Sequence, residues 1–197
     1  MKKRTLTAFL LILAVPRAVS ARVIFTEIAW MGTPGSQFGE WVEFFNDGDA
    51  EVDLQGAVLY EGGGSTPILT LTKKISPRGY YLVERVTASS PDPIPGINDD
   101  SGAFGGGGLN NSGENLVLKA QDGTVLDQMN ASLGWPGGDA STKETMQWSG
   151  TAWVTAPATP GVATSPGSGS VSSGGSGSRS SSGGDSAMRS RPRWRVQ

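Results

Sequence analysis

Two runs near the start of the chain decide the fold: Val23-Ile24-Phe25-Thr26-Glu27-Ile28-Ala29-Trp30 and Glu40-Trp41-Val42-Glu43-Phe44-Phe45-Asn46. β-branched and aromatic side chains dominate both. Turn formers close them, Gly32 after the first and Asn46-Asp47-Gly48 at the end of the second. Such side chains fit a pleated, half-buried surface, while Gly, Asn and Asp supply the tight reversals between strands. Further short runs span Ala57 to Glu61, Ile68 to Leu71, Tyr80 to Glu84, Asn115 to Ala120, Thr124 to Met129, Thr145 to Trp148 and Trp153 to Val154. Between them lie Glu61-Gly62-Gly63-Gly64, Ser76-Pro77-Arg78-Gly79 and the hairpin pair Asp122-Gly123. No window of about 11 residues carries convincing helical periodicity. The pattern predicts an all-β chain, an immunoglobulin-like antiparallel β-sandwich over residues 22 to 163.

Composition agrees with this and removes several chemistries. Of 197 residues, 29 are Gly and 12 Pro, both poor in helix interiors, and Cys and His are absent. Without Cys there is no disulfide, thiol nucleophile, zinc ribbon or iron–sulfur cluster; without His there is no imidazole base and no Ser-His-Asp triad. Catalysis would fall to carboxylate, Lys, Tyr or hydroxyl groups, and metal binding to hard cations with oxygen ligands. Stability must come from packing. Trp30, Trp41, Trp135, Trp148 and Trp153 fall within the body, and a buried Trp covers on the order of 150 to 250 Å².

The formal net charge of −2 hides three unlike segments. Residues 1 to 21 carry four bases and no acid, residues 22 to 163 seven bases and 17 acids, and residues 164 to 197 five bases and one acid. The first segment has the layout of a secretory signal peptide: Lys2, Lys3 and Arg4, the apolar run Leu6 to Val15, then Val19-Ser20-Ala21, with cleavage expected after Ala21. Arg17 departs from an otherwise neutral cleavage region. An apolar helix of about ten residues reaches about 15 Å, half of a ~30 Å hydrocarbon core, so no transmembrane helix is expected in the mature chain. The expected location is secreted or cell-surface. An acidic body repels phosphate backbones, so no nucleic acid is expected as its partner; an extracellular protein or envelope polymer is. In residues 164 to 197, 12 Ser and seven Gly leave little apolar surface to bury, which predicts a disordered tether. It ends in Arg189-Ser190-Arg191-Pro192-Arg193-Trp194-Arg195, where Arg191 and Trp194 are candidate binding residues for an anionic surface, or part of a plain solvated end.

Several motifs resemble the lamin tail domain in its bacterial secreted form. In that family a strand of the Asn-Glu-Ile type is followed by Glu-Trp-Ile/Val-Glu-Leu-x-Asn; here Thr26-Glu27-Ile28 and Glu40-Trp41-Val42-Glu43-Phe44-Phe45-Asn46 match. Val52-Asp53-Leu54-Gln55-Gly56 looks like the family's turn into the third strand. Leu109-Asn110-Asn111-Ser112-Gly113-Glu114 and Asp122-Gly123-Thr124-Val125-Leu126-Asp127 are similar to its later hairpin. Thr145-Met146-Gln147-Trp148, Trp153-Val154 and Thr159-Pro160-Gly161 match its close. Thr26 in place of Asn and Gln147 in place of Arg are departures, expected to remove two polar side chains from cross-strand bonding. The resemblance covers residues 22 to 163 and implies a non-catalytic binding or surface module, sometimes attached to secreted nucleases or other envelope proteins, with Glu27, Trp30, Glu40, Trp41, Glu43 and Asn46 as structural motif residues.

The residues themselves suggest few sites. Glu40 and Glu43 are separated by an odd number, which places them on opposite faces of a regular strand where they cannot share a proton. Glu27 and Glu43 read as carboxylates bonded to backbone or Tyr/Trp donors at a sheet edge. Asp99 and Asp100, beside Asn98, offer the oxygen ligands that calcium accepts, or an ordinary turn. No other cofactor is implied. Trp135, in Gly134-Trp135-Pro136-Gly137-Gly138, is a candidate sugar-stacking platform, or a core aromatic. Gly105 to Gly108 lacks the spacing of a phosphate loop and reads as a loop tip. A calcium- or carbohydrate-binding sandwich, or an accessory domain of a secreted hydrolase system, stands as the alternative to a protein- or polymer-binding module.

Overall fold

The computed structural model describes residues 22–97 and 99–162. The expected leader, Asn98 and the expected tether with Arg191 and Trp194 lie outside the described residues. The described strands are β1 (Val23–Ala29), β2 (Trp41–Asn46), β3 (Val52–Asp53), β4 (Val58–Glu61), β5 (Thr66–Thr70), β6 (Lys74–Ile75), β7 (Tyr80–Arg85), β8 (Asp100–Gly102), β9 (Asn115–Lys119), β10 (Val125–Asn130), β11 (Thr145–Trp148) and β12 (Trp153–Ala156). A single 3₁₀ turn, Phe104–Gly106, is the one helical element among the described residues.

The protein is all-β and sandwich-like. One layer has six strands in the order β12-β11-β1-β2-β7-β8, the other four in the order β10-β9-β4-β5, and β3 and β6 form a small third sheet. All nine expected runs become strands. The three unexpected ones, β3, β6 and β8, are two or three residues long, too short to carry a period of their own. All pairings are antiparallel except β7 with β8, which is parallel because the chain crosses over between them instead of turning back as a hairpin. No described helix is long and apolar enough to cross a membrane.

The core lies between the two large sheets. Phe25 and Phe44, with ring centroids 4.9 Å apart, meet the buried Leu59, Leu116, Leu118 and Met129 of the smaller sheet. A bulge at Thr26 decides what the other face of the large sheet carries. The register of β1 against β2 slips there, so that Phe25 opposes Phe44 and Glu27 opposes Glu43. In a regular strand Phe25 and Glu27 would share a face; the extra residue keeps Phe25 in the core and turns Glu27 to the outer face. The middle of that outer face is closed as well. Trp41, Glu43, Leu82, Thr145 and Gln147 are all buried, and the segment 157–161 bonds across them.

Candidate functional site

The outer face of the six-stranded sheet holds a pair of directly opposed carboxylates at its centre. Glu27 Oε1 accepts hydrogen bonds from Thr145 Oγ1 (2.5 Å), Gln147 Nε2 (3.0 Å) and the Thr159 N–H (3.0 Å), while Oε2 accepts from Thr159 Oγ1 (2.8 Å). Glu43 Oε1 accepts from Thr26 Oγ1 (2.8 Å) and its Oε2 from the Gly161 N–H (2.6 Å). Burial pushes Glu43 up to about 8, and the charge of Glu27 pushes the same way. Burial also raises Glu27, against more donors. At neutral pH Glu43 therefore keeps its proton.

This corrects two expectations. The pair sits at the middle of the sheet, not its edge, and its donors are hydroxyl, amide and backbone groups, with no Tyr or Trp among them. Thr26 and Gln147, expected to subtract cross-strand bonds, supply them. Their shorter side chains suffice because β11, β1 and β2 are immediate neighbours.

Glu40 lies on the opposite face from Glu43, as the alternation requires. Its Oε1 stands 3.2 Å from Arg85 Nη1 and its Oε2 accepts the Leu109 N–H at 2.8 Å. Burial raises Glu40, opposed first by the Leu109 N–H and then by Arg85. Gly108, at φ +77°, leaves the ion pair room that any Cβ would occupy. Trp41 is wholly buried on the outer face beside its cross-strand partner Glu84, which burial and nearby Asp92 push up to about 7. Asn46 Nδ2 donates to Ala50 O (2.7 Å) and Ser76 O (3.1 Å), and its Oδ1 accepts the Gly48 N–H, so this side chain staples two turns.

Asp99 and Asp100 do not form an open ligand cluster. Asp99 Oδ2 accepts the Leu82 N–H (2.9 Å). Asp100 accepts the Thr72 N–H and hydroxyl at 2.7 and 2.6 Å and the Tyr81 hydroxyl. Their oxygens are engaged in seating β8 along β7, and no described group of three or more acidic side chains could hold a metal ion. Trp135 is not a free platform either. It stacks on Trp30 with planes 2° apart and centroids 6.0 Å apart, and its Nε1 donates to Asn110 O (2.8 Å). Trp30 Nε1 donates to Gly137 O (2.9 Å), so the loop that has no apolar neighbours in sequence finds one at the far end of the body, just after β1.

Three hollows open near these elements. One of about 390 Å³ is lined by Pro34, Pro91, Pro93, Ile94, Lys143 and the edge of Trp41. A second, about 290 Å³, is lined by Phe38, Glu40, Arg85 and Lys143, with the Arg85 guanidinium 5.6 Å from the Phe38 ring centre. The third, about 370 Å³, lies on the large sheet and is lined by Arg22, Ile24, Phe45, Asp47, Tyr80 and Trp148. Sequence reasoning passed over this last set. Strand alternation could have found part of it, because consecutive Phe44 and Phe45 must point to opposite faces.

No protein-family model matches this sequence, and no curated protein matches it. The residues behind the lamin tail resemblance occupy concrete structural posts: Glu27, Trp41 and Glu43 under the outer cover, Glu40 at the end of the interior, and Trp30 and Asn46 as turn anchors.

Proposed function

We propose that this chain is an exported, non-catalytic binding module of the lamin tail type that attaches to an extracellular protein or an envelope polymer. One observation carries the reading: the motif carboxylates are spent on the protein's own donors. A hydrolytic site needs a carboxylate within reach of a water or substrate proton in a cleft. Glu27 and Glu43 are shut beneath segment 157–161, and neither lines a hollow described above. Glu40 does line one, but its oxygens are taken up by Arg85 and the Leu109 N–H instead of facing a water or substrate. What the surface offers instead is concavity with aromatic walls. The export pattern of residues 1 to 21 and the acidic body agree with a role outside the cell, away from nucleic acid.

The test uses purified full-length chain, incubated with isolated cell envelopes and separately with polysaccharide, peptide and nucleic-acid substrates. Sedimentation with the envelopes and no turnover are expected. Hydrolysis of any substrate that disappears in Glu40→Gln would overturn the proposal.

A further inference from the structure

Building on the binding-module reading, we propose that the aromatic hollow on the six-stranded sheet is a saccharide site that takes a pyranose ring of an envelope polysaccharide. Four adjacent strands build it. Trp148 comes from β11, Ile24 from β1, Phe45 from β2 and Tyr80 from β7, and the last three are cross-strand neighbours in register. All four side chains are half-buried. Phe45 and Tyr80 brace each other at 4.8 Å between ring centres, as Trp148 and Trp153 do at 5.5 Å, so the walls are pre-set. The cavity of about 370 Å³ lies within the ~300–1,000 Å³ range of small-ligand sites.

The chemistry selects the occupant. A pyranose ring has apolar C–H faces, which suit the electron-rich faces of aromatic side chains, and an equatorial belt of hydroxyls, which needs paired donors and acceptors. The hollow supplies both. Arg22 and Asp47 stand at its mouth, with Nη2 and Oδ2 4.0 Å apart. Asp47 is held closely by Arg78 at 2.8 Å, which leaves the Arg22 fork with donors to spare. The Tyr80 hydroxyl makes no hydrogen bond with any described residue, so it too can donate or accept. A protein partner would be expected to demand a broader dry apolar patch than one ring-wide hollow edged by charge.

The experiment titrates the full chain with short oligosaccharides of glucose and of N-acetylglucosamine, read by tryptophan fluorescence. Alongside, the chain is sedimented with intact envelopes, with protease-stripped envelopes and with purified envelope polysaccharide. Saturable binding is expected, weakened about tenfold or more in Trp148→Ala and several-fold in Arg22→Gln and Tyr80→Phe. The last two remove exposed or unbonded polar groups and leave the fold in place, so a misfolded Trp148→Ala does not decide the matter. Unchanged affinity in both conservative variants would overturn the site. Sedimentation that vanishes with protease-stripped envelopes, with no saccharide bound, would overturn the ligand class and leave a protein-binding module standing. No sedimentation with any envelope preparation would overturn the module itself.

Discussion

Replacing Glu43 by Gln isolates the proton held between β1 and β2. In the folded protein burial lifts this carboxyl from 4.5 to about 8. The native state therefore binds the proton more tightly than the unfolded chain does. The associated stability is complete below the unfolded value of 4.5 and is lost as pH rises through 8. At about 1.4 kcal/mol per pH unit, the folded state forfeits about 4 kcal/mol between about pH 5 and about pH 9 through this group. The physical cause is burial of this carboxyl beneath segment 157–161, reinforced by the charge of Glu27 directly opposite. The amide introduced by Glu43→Gln cannot ionise, and its oxygen can still accept from Thr26 or Gly161. Denaturant unfolding of wild type and Glu43→Gln across that range should give a wild-type stability that falls with pH and a variant whose fall is shallower by about 4 kcal/mol. At the acid end the two should differ by less than about 1 kcal/mol, since both side chains are then neutral. Parallel pH profiles for the two proteins would refute the buried, protonated Glu43.

The ion pair at the end of the interior gives a comparable single effect: Arg85→Ala should cost about 3 to 5 kcal/mol, measured by denaturant midpoint, because it leaves Glu40 buried without its partner. Trp135→Ala should lose about 2 kcal/mol from the stack on Trp30 and the bond to Asn110, read as a lowered melting temperature. Asp100→Ala should destabilise by about 2 kcal/mol, since Thr72 and Tyr81 lose their acceptor. In wild type, adding millimolar calcium should leave the melting temperature unchanged, because these oxygens are already engaged; an upward shift would show that metal displaces the internal donors.

Strand positions in this protein are local properties, and they were legible. Runs such as Val23 to Trp30 and Asn115 to Ala120 carry their own β-branched and apolar signature, closed by Gly, Asn or Asp, and this alone determines an all-β fold without disulfides. The opposite faces of Glu40 and Glu43 followed from the same two-residue period. Partnership was not local. Glu27 meets Thr159 across 132 residues and Thr145 across 118, contacts that no window of sequence contains. The bulge at Thr26 reverses the alternation and sets two acids face to face, and the brief β3, β6 and β8 exist only because neighbouring backbone offers them hydrogen bonds. Trp135 and Asp100 each carried two readings in sequence for one reason: a side chain's availability depends on what folds against it. Alternation along a strand is written in the order of residues, whereas burial, pairing and the aromatic hollow arise when distant strands are brought into register, and only the tertiary structure decides those.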